Sequence, residues 1–361
     1  MTLHYNLTAG ITEASYKSGR LGQESDPVVT DTTVSMTAPV LLNFVYWVLE
    51  QAEADGISTL FFLARDGYIL KLIGDKLAQA YFPTIKCKYF YCSRGASGDA
   101  LFSGYAVQEG LNKPGTAIVD TGWLGSIQAA IGRDDIIGYY FGLYSTGYQN
   151  CGEYRAYMFS PKARWWWSFG FNANVFECLC GANHGMTVGY EKVGDWIVPR
   201  LKYYEPAWHT ELQIRVIQDY VRNFIAQGPI RGEVPLDAAL VRKMLMKFIR
   251  KPTEAQASVY GAILFDHDKE ERRLYPLAEK VDVSLIKGNL FFYRIFGRFF
   301  GRFFEIKKKR PLYWIEGAAL LSGYSLGIEI YLVNLGKFLK TQNLKSQIRS
   351  KKNVDLSHTK I

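Results

Sequence analysis

The hydrophobic pattern changes period several times along the chain. Leu41, Leu42, Val45, Tyr46, Val48 and Leu49 recur at helical spacing within 38–54, and Gly56 follows as a stop. Residues 59–63, Thr-Leu-Phe-Phe-Leu, form a short unbroken apolar run of the kind a strand needs when both its faces are buried. A helix is predicted over 68–80 from Ile69, Leu70, Leu72, Ile73 and Leu77. Further strands are predicted at 86–92, 116–119 and 136–144, with a helix starting at 127. Strands alternating with helices predict an α/β fold: a mostly parallel sheet with flanking helices. Helices with charged outer faces are expected at 207–226 and 237–250, while the aromatic stretch 151–206 has no clear period.

These patterns divide the chain into four parts. Residues 1–35, polar throughout, are expected to form an irregular arm. Residues 36–150 read as an α/β core of the phosphate- or nucleotide-binding kind. Residues 151–285 would complete the fold, and 286–361 form a basic amphipathic helix and tail. A length of 361 residues fits two domains, or one large domain with additions. The 48% apolar content excludes wholesale disorder. Five Cys without regular spacing exclude a disulfide scaffold, and Cys178 and Cys180 form only C-x-C, too little for structural zinc.

Charge adds a division that hydropathy does not show. Residues 281–361 hold 15 Lys/Arg against 5 Asp/Glu, whereas the rest of the chain is close to neutral. A basic end implies an anionic partner. Within 291–310, Arg294, Arg298 and Arg302 fall on one helical arc, and Phe299 and Phe303 are among the aromatics covering the other. That pattern suits a helix lying on an anionic membrane surface. Segregation of aromatics from cations argues against nucleic acid. The opening residues lack a basic start and apolar run, so no secretory leader is predicted. No uncharged run reaches about 20 residues, so no span is predicted either. The expected location is cytoplasmic, with peripheral attachment to the inner face of the plasma membrane.

The candidate chemistry sits at strand ends, where open α/β sheets bind ligands. The first strand leads into Arg65 and Asp66, the second into Ser93 and Arg94. The third leads into Asp120, Thr121, Gly122, Trp123, Leu124, Gly125, Ser126, then Gln128. Arg65 and Arg94 are candidate phosphate clamps, since guanidinium offers paired donors. Asp120 is a candidate base or metal ligand. Thr121, Gly122, Gly125 and Ser126 are candidates for a phosphate cradle leading to Gln128. Asp66 is a further catalytic candidate, with helix capping as the alternative. Glu177 and His184 are candidates for an acid–base pair. His267 between Asp266 and Asp268 reads as a capped loop. Trp165, Trp166 and Trp167 fit sugar stacking, a membrane interface or core packing equally.

Four motifs occur in order: L-F-F-L-A-R-D-G-Y-I-L-K at 60–71, Y-C-S-R at 91–94, I-V-D-T-G-W-L-G-S-I-Q at 118–128, and E-C-L-C-G-A-N-H-G-M-T-V-G-Y at 177–190. Together they resemble a bacterial family from capsule and O-antigen gene clusters, whose members are labelled hydrolases of the haloacid dehalogenase superfamily. The resemblance covers about 35–335. It implies a role in surface-polysaccharide biosynthesis, with a phosphorylated or nucleotide-linked sugar as substrate and glycosyltransferases as partners. The D-x-D nucleophile motif of that superfamily is absent, because Asp120 is followed by Thr121 and Gly122. A weaker likeness, to phosphoribosyltransferases, lies in the arginine-ended strand and the acidic strand–loop–helix. Three readings result: an enzyme of polysaccharide assembly, leaning to transferase or hydrolase; a non-catalytic glycan- or glycosyltransferase-binding module at the membrane; and a dehalogenase-like phosphohydrolase. Magnesium is the cofactor such phosphate chemistry would admit.

Overall fold

The structure is a computed structural model that describes residues 26–145, 152–205, 208–226, 238–265, 274–290 and 310–337. A five-stranded, all-parallel sheet forms the centre, in the order β2-β1-β3-β4-β5. Its strands are β1 (Thr59–Leu63), β2 (Lys86–Phe90), β3 (Thr116–Asp120), β4 (Ile137–Gly142) and β5 (Glu153–Phe159). The fold is α/β, as the alternating pattern predicts.

Successive residues of each strand serve opposite faces of the sheet. Leu60 and Phe62 of β1, with Ala117 and Val119 of β3, join one core. Phe61 and Leu63, with Ile118, join another. Because both faces are buried, the strands read as continuous apolar runs rather than alternating ones. The first face carries α1 (Pro27–Ala54) and α2 (Gly67–Tyr81). It is completed by α6 (Trp208–Ala226), α7 (Ala238–Arg250), α8 (Glu254–Gly261) and α9 (Ile315–Leu321). The second face carries α3 (Phe102–Glu109), whose Phe102 and Tyr105 pack on Phe90, and α4 (Ser126–Ile131).

The chain thus leaves β1 by a helix on one face and β3 by a helix on the other. Connections diverging from two adjacent strands open a crevice at the strands' carboxyl ends. An antiparallel hairpin, β6 (Thr187–Val193) and β7 (Trp196–Leu201), covers α3. Gln108 of α3 clasps it, donating to the Ile197 carbonyl at 2.9 Å and accepting from the Ile197 amide at 2.7 Å.

Several expected boundaries move. The arm does not run to residue 35: Asp26 caps α1, accepting from the amides of Val28 and Val29, and Pro27 occupies the first turn. By length and composition α1 can cross a membrane, but 89% of its most apolar window is buried inside the protein. The sheet extends past residue 150, since β5 is its outer strand. The segment assigned to the membrane from 286 onward is partly core. Trp314 is fully buried and its indole donates to the Ile249 carbonyl at 2.7 Å. Arg294, Phe299, Arg298, Arg302 and Phe303 lie outside the described residues, as does His267.

Candidate active site

The three strand-end loops meet at the crevice between β1 and β3. They line a cavity of about 390 Å³ with Arg65, Asp66, Ser93, Arg94, Asp120, Gly122, Trp123, Leu124 and Ser126. The opposite wall comes from Tyr144 and from Asn174 and Glu177 of α5 (Ala173–Glu177). Two peptide bonds at the rim, Ala64–Arg65 and Gly122–Trp123, are cis.

Gly122 shows why this loop needs its glycine. Its φ is +139°, and a Cβ there would fall on the Gly142 carbonyl oxygen of β4. Gly125, at φ +72°, then turns the chain into α4. Asp66 stands at the start of α2 without capping it; its Oδ2 accepts the Thr121 hydroxyl at 2.6 Å. Glu177 is oriented by Trp123, whose indole donates to Oε1 at 2.7 Å. Trp123 is held in turn among Tyr144, Phe159, Phe171 and Phe176. Asn172 caps α5 by accepting from the Val175 amide and anchors it by donating to the Tyr313 carbonyl.

Three carboxyl groups share one electrostatic environment. Asp66, Asp120 and Glu177 each keep an accessible edge at the cleft floor while protein packs around the rest. Burial, and then the neighbouring Asp66 charge, push Asp120 up to about 7, against the hydrogen bonds from Gly122 and Thr121 and the Arg94 charge. Burial and the Asp66 charge likewise raise Glu177, opposed by the Trp123 hydrogen bond and by Arg94. Asp66 is raised by burial, against the Thr121 hydrogen bond and Arg65. Three like charges this close cannot all ionise together near neutrality.

Arg94 is exposed along the cleft, and its side chain makes no ion pair with any described residue. Among the described residues no group of three or more His, Cys, Asp or Glu is arranged to hold a metal ion. Cys92, in the cleft lining, has its thiol raised far above the usual range by burial, so it supplies no thiolate nucleophile.

Several sequence-derived candidates have other work. The acid–base pair expected of Glu177 and His184 is not formed. His184 lies against Tyr68, Tyr89 and Tyr91, with Nε2 2.7 Å from the Tyr89 hydroxyl and Nδ1 2.9 Å from the Gly185 carbonyl. Both ring nitrogens are taken, and the ring is not part of the cleft lining. Gln128 is buried; its amide donates to the Ile136 and Glu153 carbonyls, and its oxygen accepts from Tyr140. It joins β4 to β5 instead of facing a ligand. The Thr121 hydroxyl is committed to Asp66, so the expected phosphate cradle lacks it. Ser93 reaches the cleft, but its hydroxyl donates to the Thr187 carbonyl and accepts from the Ala96 amide.

Tyr144, Asn174, Met186 and Phe265 are among the lining residues that strand-end reasoning does not reach, and Trp123 is placed in its loop without a role. A Trp inside a glycine-bearing loop was the one available signal, since a large ring in a tight turn needs a prepared pocket. Compared with known proteins, the chain matches no family model and none of the curated proteins.

Proposed function

We propose that the protein is an enzyme of bacterial surface-polysaccharide assembly that acts on a phosphorylated or nucleotide-linked sugar in this cleft. One observation carries the reading: Arg94, which forms no ion pair with any described residue, lines the same cavity as Asp120, a carboxyl that burial pushes up to about 7. The guanidinium suits a phosphate group. A carboxyl with a pKa near 7 suits proton transfer at neutral pH. In a transfer reaction, Asp120 as carboxylate takes the acceptor hydroxyl's proton while the acceptor oxygen bonds to the sugar carbon that carried the phosphate. The phosphate leaves with the bonding electron pair, its charge met by Arg94. Glu177, kept protonated and oriented by Trp123, donates a hydrogen bond to the sugar or leaving oxygen. Transfer is favoured over an aspartyl-phosphate route because the second Asp of a D-x-D motif is missing: Gly122 stands two residues after Asp120.

The test is a thermal-shift panel of nucleotide sugars, phosphoribosyl pyrophosphate and sugar phosphates, each with and without magnesium. A ligand at about 100 times its dissociation constant adds about 2.7 kcal/mol, a shift of several degrees for a chain of this size. The expected result is a shift for one donor class that Arg94→Ala loses. Asp120→Asn should keep the shift and lose turnover. No shift with any compound would remove this reading and leave the non-catalytic binding module.

A further inference from the structure

A second surface, away from the cleft, joins the aromatic turn after β5 to the basic helix α7. Trp165 and Trp166 are 42% and 56% exposed, edge to face with ring centroids 6.2 Å apart. Trp167 beside them is half-buried, and two guanidinium groups lie over its ring, Arg164 at 5.0 Å and Arg242 at 5.7 Å. Arg242, Met246 and Arg250 form one stripe of α7, four residues apart. Met246 and Arg250 both close on Gly170, at the end of the aromatic turn. Arg250 also lies 5.3 Å from the centre of the Tyr331 ring. Tyr331 continues the surface with Ile328 and Leu335, which are 55%, 76% and 43% exposed and share one helical face.

The charge along α7 has one sign, with Glu316 close to Arg250 and Glu329 next to Ile328 as the acids nearby. Residues 238–251 hold Arg242, Lys243, Lys247, Arg250 and Lys251 and no Asp or Glu. None of these five, nor Arg164, forms an ion pair with a described residue. Burial, and then the Arg250 charge, hold the Arg242 guanidinium below its usual value. Cations gathered without acids call for anions from outside. Exposed indoles at one end of α7 and Tyr331, Ile328 and Leu335 at the other call for an apolar phase beside those anions. A bilayer interface supplies both: Trp and Tyr settle at headgroup level and Lys/Arg meet anionic lipids. A nucleic acid would satisfy the cations but leave the aliphatic residues in water.

We propose that the surface formed by Trp166, Arg242, Lys243, Lys247, Arg250 and Ile328 seats the protein on an anionic lipid bilayer. The inference is independent of the chemistry in the cleft. It also differs from the expectation for 291–310, because every residue it uses lies elsewhere in the chain.

The test is co-sedimentation of the full chain with vesicles of phosphatidylglycerol and phosphatidylcholine, against phosphatidylcholine alone. The wild type should bind the anionic vesicles and be released by high salt. Trp166→Ser combined with Lys243→Gln and Lys247→Gln should lower partitioning about tenfold or more. Ile328→Glu, at the far edge, should lower it independently; it serves as the second variant if the triple one melts early. A wild type that ignores anionic vesicles overturns the proposal, whether or not it binds heparin or duplex DNA. So do folded variants that bind vesicles as the wild type does. The ligand shift in the cleft should be the same in these variants as in wild type, so the two readings fail separately.

Discussion

The Thr121 hydroxyl donates to the Asp66 carboxyl at 2.6 Å and so ties the loop after β3 to the loop after β1. The two residues are 55 apart in sequence and belong to adjacent strands. One hydrogen bond therefore sets the spacing of the two loops that hold Arg65 and Asp120. Thr121→Val keeps the shape but leaves a buried carboxyl without this donor. Its expected cost is about 1–3 kcal/mol, read as a lowered urea midpoint. Asp66→Asn retains an acceptor oxygen and should stay closer to wild type.

Asp120 makes stability depend on pH in a direction opposite to that of a salt-bridged carboxylate. Its folded pKa of about 7 lies above the ordinary value of 3.8, so the native state binds the extra proton. The resulting stability is fully present below about pH 4 and is lost as pH rises through about 7. Asp120→Asn has no such proton, so it should gain on the wild type between about pH 4 and 7. The gain is bounded by ~1.4 kcal/mol per pH unit, and water in the cleft reduces it. Urea melts across that range measure it; a constant difference between the two proteins would contradict the assignment.

Two glycines with positive φ should respond very differently to alanine. At Gly122 a Cβ meets the Gly142 carbonyl, and φ is +139°. Gly122→Ala should cost about 4 kcal/mol or more, or prevent folding. At Gly132, φ +72°, nothing lies within 4 Å of the added atom. Gly132→Ala should cost only the left-handed backbone preference, about 1–2 kcal/mol. Comparing melting temperatures and soluble yield separates the two.

Gln108→Ala removes both hydrogen bonds that hold Ile197 of β7 on α3. The hairpin is also anchored by Ser93 to the Thr187 carbonyl, by Asp99 to the Tyr190 amide and by Tyr190, which packs on Phe102 and Tyr105 and donates to the Tyr91 carbonyl. The expected result is faster amide exchange at Ile197 and its β6 partner Lys192, with the central sheet still protected.

His184→Gln tests whether the imidazole is structural. It takes away the shorter of the two contacts of the Tyr89 hydroxyl, the other being the Arg65 carbonyl at 3.4 Å, and loosens the Tyr68–Tyr89–Tyr91 cluster. The melting temperature should fall, while any ligand-induced shift in the cleft survives. Loss of the ligand response without loss of stability would return His184 to the site.

Much of the architecture follows from local pattern. The helix expected at 38–54 ends where the pattern ends, at Ala54, because Asp55 and Gly56 leave the helical conformation. The runs at 59–63 and 116–119 are strands because both faces of the sheet are covered, which makes them apolar throughout. Arg65, Asp66, Arg94, Asp120 and Ser126 lie at strand ends in sequence and in space, so their place beside the cleft is legible from order alone. Local pattern missed β5, whose first residues are polar and only partly covered because it is an edge strand, and the hairpin, half of whose side chains face water.

Tertiary structure alone decided which polar side chains are free. Glu177 and His184 are seven residues apart, yet one lines the cavity and the other is enclosed by three tyrosines. Thr121 and Ser126 offer the same hydroxyl in the same loop, but the first is taken by a carboxyl from another strand. The physical reason is that a buried donor or acceptor must find a partner, and that partner comes from wherever the fold brings one. Sequence determined the sheet, its strand ends and the residue types gathered there; long-range pairing determined which of those groups remain available to a ligand.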